Sequence, residues 1–143
     1  MDLGIKDKVA FITGASSGIG LSTAEAFVKE GANVIICGRN QEKLEEAKKQ
    51  IKQNTGTEVG AYACDTSKFD QVEKTVNQIV KEYKRIDILI NNAGKAQAGG
   101  VVDAKPEDWK SMIDVKIYSL INTCKLIAPI MKKNKWGRIV NMS

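Results

Sequence analysis

The stretch Val9-Ala10-Phe11-Ile12-Thr13-Gly14-Ala15-Ser16-Ser17-Gly18-Ile19-Gly20 decides the fold. An apolar, β-prone run ends in a glycine-rich turn, and a helical pattern opens at once over Ile19 to Glu30 and closes at Gly31, a residue suited to helix ends. Such a turn needs glycine for a tight exit from the strand, for backbone approach to a diphosphate, and for close packing of the helix on the sheet. The first free N–H groups of the helix, at the positive end of its dipole, then face an anion. The spacing is G-x-x-x-G-x-G, which is neither G-x-G-x-x-G nor an ATPase phosphate loop, because no Lys follows Gly20. Taken alone it also fits a turn that binds nothing; the flanking strand and helix favour a phosphate cradle, and ATP hydrolysis is disfavoured.

Working outward, short β-branched runs alternate with longer amphipathic stretches. Val9 to Thr13, Asn33 to Cys37, Val59 to Cys64, Ile86 to Asn91 and Gly137 to Asn141 read as strands. Between them, Gln41 to Gln53 places Leu44, Ala47 and Ile51 on one helical face, and Phe69 to Tyr83 does the same with Val72, Val76, Ile79, Val80 and Tyr83. A fourth helix opens at Pro106, a first-turn residue, and is expected to run to Lys133 with a bend or an end at Pro129. Strands alternating with helices predict right-handed crossovers and a doubly wound parallel α/β sheet. Its strands, apolar throughout, predict cover on both faces. Ligands of such sheets sit at the carboxyl ends of the strands, and the polar punctuation falls there: Gly14 to Gly20, Gly38 to Asn40, Asp65 to Ser67 and Asn91 to Gly94.

The bulk properties bound the alternatives. The 143 residues, 43% of them hydrophobic, suit one domain with a real core, so the expectation is a single unit over 1–143. Lys and Arg number 22 against 17 acids, but they alternate with Glu42, Glu45 and Glu46 on helical faces as solvated charges do. Neither basic tracts interleaved with aromatics nor a zinc motif appears, which leaves nucleic-acid binding a minor alternative. Lys132, Lys133 and Lys135 close a helix, where cations suit the dipole. Cys37, Cys64 and Cys124 show no C-x-x-C spacing and read as buried reduced thiols. No histidine is present, so His-based triads and His-rich metal sites are excluded, and the carboxylates lack EF-hand-like spacing; no metal site is expected. No apolar stretch is long enough to span a bilayer and no signal peptide is read at Met1, so the default expectation is a cytoplasmic protein.

The second strand speaks to the cofactor. A dinucleotide sheet that binds NAD places Asp or Glu at the end of this strand to accept from the ribose 2′-OH. Here Gly38, Arg39 and Asn40 stand there, with no acid, and the Arg39 guanidinium matches a 2′-phosphate; a surface arginine following a strand is the plain alternative. NADP(H) is favoured over NAD(H). Asp65 suits either an adenine amino group or an Asx-type cap on the next helix. Asn91, Asn92, Ala93 and Gly94 lie beside the cofactor channel, or serve to satisfy backbone groups where strands diverge.

Thr13-Gly14-x-x-x-Gly18-Ile19-Gly20, Asp65, Asn91-Asn92-Ala93-Gly94 and Gly137-Arg138-Ile139-Val140-Asn141-Met142-Ser143 together resemble the short-chain dehydrogenase/reductase family over the whole chain. The texture is similar to 3-oxoacyl-carrier-protein reductases and to sugar or steroid dehydrogenases. The resemblance implies a Rossmann-like sheet of about five strands in the order 3-2-1-4-5. It also implies a nicotinamide dinucleotide and reversible hydride transfer between carbonyls and alcohols. The cofactor residues it implies are Gly14, Ser16, Ser17, Gly18, Ile19, Gly20, Arg39, Asp65, Thr66, Asn92, Ala93 and Gly94.

Two departures stand beside these matches. The family's acid–base pair is Y-x-x-x-K, whereas the residues four beyond Tyr62, Tyr83 and Tyr118 are Thr66, Asp87 and Asn122. No catalytic residue is therefore assigned, and Ser143 reads as the first of the family's serine pair. The family's Val-Asn pair in the fourth helix is here Val115-Lys116, either a true replacement in the proton relay or a surface lysine. Without the family's later elements, the fifth strand is expected to be an open edge. The fourth helix is expected to expose Met112, Ile113, Ile117 and Leu120 or Ile121, so self-association is predicted.

Overall fold

The computed structural model describes residues 3–94 and 102–142. A parallel sheet of five strands runs in the order β3-β2-β1-β4-β5. The strands are β1 (Val9–Thr13), β2 (Asn33–Gly38), β3 (Gly60–Ala63), β4 (Ile88–Asn91) and β5 (Arg138–Asn141). The expected sheet and its order are thus observed, with β3, β4 and β5 shorter than the sequence suggests.

Alternation along the central strands divides the core in two. Ala10, Ile12, Val34, Ile36, Ile88 and Ile90 face one layer, where α1 (Gly18–Lys29) and α2 (Gln41–Thr55) pack through Leu21, Ala24, Val28, Leu44, Ala47 and Ile51. Val9, Phe11, Ile35, Cys37 and Leu89 face the other, against Val72, Val76 and Ile79 of α3 (Phe69–Tyr83) and Ile127 and Met131 further on. Burying one such side chain contributes about 1.5–3 kcal/mol, so the apolar spacing read from α2 and α3 fixes which face each helix presents. The residue before α2, Asn40, caps it: its Oδ1 accepts from the Lys43 N–H at 2.9 Å.

The fourth helical stretch differs from expectation. It comprises α4 (Pro106–Ile113), a π-helical turn over Asp114–Tyr118, and α5 (Ser119–Lys133). The irregularity is the π turn, and Pro129 lies inside α5 without ending it. Pro129 and Lys125, whose carbonyl loses its partner, are both exposed, so water can satisfy that carbonyl.

The expectation of strands covered on both faces is also corrected. All four residues of β5 are exposed, Ile139 at 39% and Val140 at 44%, because α5 packs against α3 and β4 instead. β3, the other edge, is half-buried except at exposed Ala63.

Two residues pin opposite ends of the central strands. At the amino end, Asp87 is fully buried; its Oδ2 accepts from the Val9 N–H at 2.9 Å, and Arg85 holds the carboxylate at 2.7 Å. At the carboxyl end Asn92 does the corresponding work, and the site is built there.

Candidate functional site

β1 delivers the chain to Gly14, whose φ of +63° suits glycine and where a Cβ would lie 2.8 Å from Ala93 Cα. The glycine turn and the end of β4 therefore meet backbone to backbone. Gly20 is the second close approach: a Cβ there would lie 2.5 Å from Asn92 Nδ2 and 2.6 Å from the Gly14 carbonyl. Gly18 differs, with φ +57° and nothing within 4 Å of a Cβ. Ser17 is the N-cap of α1 but its side chain caps no amide, and the first turn carries no acid. The amides at the positive end of α1 thus have no carboxylate of their own first turn competing for them, and fit a dinucleotide's diphosphate.

A cleft of about 230 Å³ lies over this turn, at the carboxyl ends of the strands. Of the residues expected to hold a cofactor, Gly14, Ser16, Ser17, Arg39, Asp65, Thr66, Ala93 and Gly94 line it. Gly18, Ile19, Gly20 and Asn92 do not form its wall. Ile19 is 65% exposed, and Gly20 is packed against Asn92.

The Asn92 side chain is fully engaged elsewhere: its Nδ2 donates to the carbonyls of Thr13 at 3.1 Å and Gly14 at 3.0 Å. The Thr13 hydroxyl accepts from the Asn92 and Ala93 N–H groups, both at 3.0 Å. This join satisfies backbone groups where β1 and β4 separate, the second of the two roles the sequence leaves open for this segment.

Arg39 is exposed at the end of β2, lining the cleft, and has no ion-pair partner among the described residues. Asp65 forms an Asx turn, its Oδ1 accepting from the Ser67 N–H at 3.0 Å and hydroxyl at 2.7 Å, yet it remains in the cleft wall. Thr66 is buried; its hydroxyl donates to Ser119 Oγ at 2.8 Å, and its carbonyl accepts from Asn122 Nδ2 at 3.0 Å. From there Thr123, also hydrogen-bonded to the Ser119 carbonyl, donates to Asn91 Oδ1 at 2.6 Å, and Asn91 Nδ2 donates to Asn141 Oδ1 at 2.9 Å. A polar chain, buried from Thr66 to Asn91, therefore runs from the wall of the cleft to the end of β4 and out to exposed Asn141 on β5.

The π turn sets the far side of the cleft. Val115 lines it, and Lys116, half-buried rather than on the outer surface, donates to the Met142 carbonyl. A Cβ on Gly94 would lie 3.6 Å from its Nζ. π turns recur at functional sites. Ser143 lies outside the described residues. Among the described residues no cluster of metal-ligating side chains occurs, and no helix is long and apolar enough to cross a membrane.

Sequence reasoning missed four wall residues: Cys37, Gly38, Cys64 and Val115. It also missed the polar chain, although Ser119, Asn122 and Thr123 stand at i, i+3 and i+4 in an otherwise apolar helix. A polar stripe at helical spacing was the available signal.

The model of the short chain dehydrogenase family matches residues 8–143. The chain belongs to that family. It is similar to 3-oxoacyl-[acyl-carrier-protein] reductase of Thermotoga maritima, 37% identical over 139 residues, which are 97% of this chain and 56% of that protein. It is 44% identical to 3-dehydrosphinganine reductase of Arabidopsis thaliana over 131 residues, 92% of this chain and 39% of that one. The chain thus spans about half the length of the curated relatives it matches. Among solved structures it resembles L-sorbose reductase from Gluconobacter frateurii complexed with NADPH and L-sorbose, with a TM-score of 0.87 and 34% identity over 97% of this chain and 53% of that one. It equally resembles NAD+-bound xylitol dehydrogenase, with a TM-score of 0.88 and 31% identity over 94% and 52%. Short-chain dehydrogenases of this fold therefore hold either dinucleotide, and the choice between them rests on local residues.

Proposed function

We propose that residues 1–143 form the dinucleotide-binding part of an NADP(H)-dependent short-chain oxidoreductase that exchanges hydride with a small carbonyl or alcohol. The observation that carries the cofactor preference is Arg39, a cation without an ion-pair partner among the described residues, just past β2, where no acid stands to accept from a ribose 2′-OH. The amides of Gly14 to Gly20 take the diphosphate, with Ser16, Ser17, Gly18 and Ile19 at its rim. Asp65 and Thr66 flank the adenine, and Ala93 and Gly94, held by Asn92, border the remainder. L-sorbose reductase, to which the chain is similar, was solved with NADPH, and xylitol dehydrogenase with NAD+, so the preference for NADP(H) is argued from Arg39 alone. When bound, the dinucleotide supplies the hydride; the chain's own residues bind and orient it.

Within residues 1–143 no Tyr is followed four residues on by Lys, and this favours a second reading for these residues acting alone, a binding module without catalysis. Lys116 replaces the family's asparagine on this account. Oxidation of NADPH with a panel of ketones tests the two. The binding-module reading expects no rate above background, and a rate abolished by a substitution within the chain overturns it.

Self-association of a second copy along the exposed stripe Ile113, Ile117 and Ile121 and the open β5 edge belongs to the same proposal. So does a cytoplasmic setting, which the free cysteines support. Neither a nucleic acid nor a membrane has a place in this reading.

A further inference from the structure

The cleft holds two thiols for which the proposed dinucleotide contacts have no use. Cys37, near the end of β2, and Cys64, just past β3, both line it, and both are free. Parallel register pairs Cys37 with Tyr62, two residues before Cys64; residues two apart on a strand share a face. Both cysteines belong to the same buried layer of the core, beside Tyr62. The Ala15 N–H of the glycine turn donates to the Cys37 carbonyl at 3.1 Å, and the Cys64 N–H donates to the Gly38 carbonyl at 2.9 Å. Oxidation here acts on the cradle and on the segment Cys64-Asp65-Thr66 together.

The neighbouring Cys37 thiol, and then the Thr75 hydroxyl, lower the Cys64 thiol from its ordinary range, while the neighbouring Cys64 and burial raise Cys37. Cys64, the thiol that gives up its proton more readily, is assigned the attack, and Cys37 the resolving role. Cys124 stands apart, accepting from Asn91 Nδ2 at 3.5 Å.

We propose that Cys37 and Cys64 are an oxidation site for hydroperoxides, closing to a disulfide that weakens dinucleotide binding in the same cleft; the effect on binding rests on the functional reading above. The Cys64 sulfur attacks one peroxide oxygen, the O–O bond breaks, the alkoxide or hydroxide leaves with the thiol proton, and Cys64 becomes a sulfenic acid. The Cys37 sulfur then attacks that sulfur; S–S forms, S–O breaks, and the hydroxide leaves with the Cys37 proton as water. Two thiols and one hydroperoxide give one disulfide, one alcohol or water, and one further water.

In parallel strands about 4.8 Å apart that rise about 3.3 Å per residue, Cα atoms two residues out of register lie about 8 Å apart, whereas a disulfide joins Cα atoms roughly 4.4–6.8 Å apart. Closure therefore draws Cys64 toward β2. β3 is an edge strand of four residues, free to follow, and the next residues, Asp65 and Thr66, form part of the cleft wall.

The test oxidises the chain with a small excess of hydrogen peroxide and maps unreduced peptides by mass spectrometry. NADPH is titrated before oxidation, after it, and after a phosphine reductant. The expected result is a Cys37–Cys64 cross-link with Cys124 free, and an affinity that falls about 10-fold, in the range of coupled sites, and recovers on reduction. Cys37→Ala and Cys64→Ala each keep, after peroxide, the affinity they had before it, and Cys124→Ala responds as the parent does. Free thiols at both positions after oxidation, a cross-link through Cys124, or a cross-link without loss of affinity overturns the proposal. So does an equal loss in both alanine variants. Absence of NADPH binding before oxidation overturns the functional reading and with it the control of binding, whereas the peptide map decides the oxidation site by itself.

Discussion

Asn92 and Thr13 lock the glycine turn to the end of β4: the Asn92 carboxamide donates to the Thr13 carbonyl at 3.1 Å, while the Thr13 hydroxyl accepts from the Asn92 N–H at 3.0 Å. The shape of the cleft depends on this exchange, because Ala93 and Gly94 line one wall and Gly14 another. Replacing Asn92 by Ala leaves the Thr13 and Gly14 carbonyls without that donor. We expect a loss of about 1–3 kcal/mol in urea unfolding, and weaker NADPH binding than that loss of folded protein explains. Unchanged stability contradicts the assigned role.

The glycines of the turn separate by mechanism. Gly20→Ala drives a methyl against Asn92 Nδ2 and the Gly14 carbonyl, at 2.5 and 2.6 Å, and is expected to cost about 1–3 kcal/mol through overpacking. Gly18→Ala meets open space but keeps a left-handed φ of +57°, for roughly 1–2 kcal/mol of backbone strain. Structures of the variants distinguish the two: the Asn92 side chain moves in the first and stays in the second.

How much of this was legible beforehand differs by element. Val9 to Thr13 could be read because five buried strand residues run into glycines whose positions have a steric reason, and α2 because Leu44, Ala47 and Ile51 recur at helical spacing. The π turn was not legible, since Asp114–Tyr118 contains no helix breaker. Pro129 does not end α5, because the local rule applies less strictly on a solvated face. Cys37 and Cys64 were read correctly as buried thiols, but burial alone did not tell that they line the cleft.

Alkaline pH should destabilise the fold through Tyr62. Burial, and then the hydrogen bond to Glu82, push its hydroxyl from 10.0 up to about 12. The folded state holds the proton more tightly, so this contribution is complete below pH 10, falls as pH rises from 10 to about 12, and is absent above. Tyr83 is raised in the same direction. Urea unfolding across this range should show a shallower decline for Tyr62→Phe than for the parent; identical slopes contradict the assignment.

The apolar stripe on α4 to α5 predicts association. Ile113, Ile117 and Ile121 are 51%, 49% and 46% exposed at four-residue spacing, which places them on one face. Light scattering should give a concentration-dependent mass for the chain, and Ile117→Lys should shift it toward the monomer. A monodisperse monomer at high concentration counts against the stripe as an interface.

The central claim is that the glycine-turn cleft binds NADP(H) with Arg39 reading the 2′-phosphate, and paired titrations of NADPH and NADH into the parent and Arg39→Asp test it most directly. The account predicts that the parent prefers NADPH by about 10-fold or more, the worth of a charge-assisted contact, and that Arg39→Asp reverses the preference. Equal affinity of the parent for both dinucleotides, or NADPH affinity unchanged in Arg39→Asp, contradicts it.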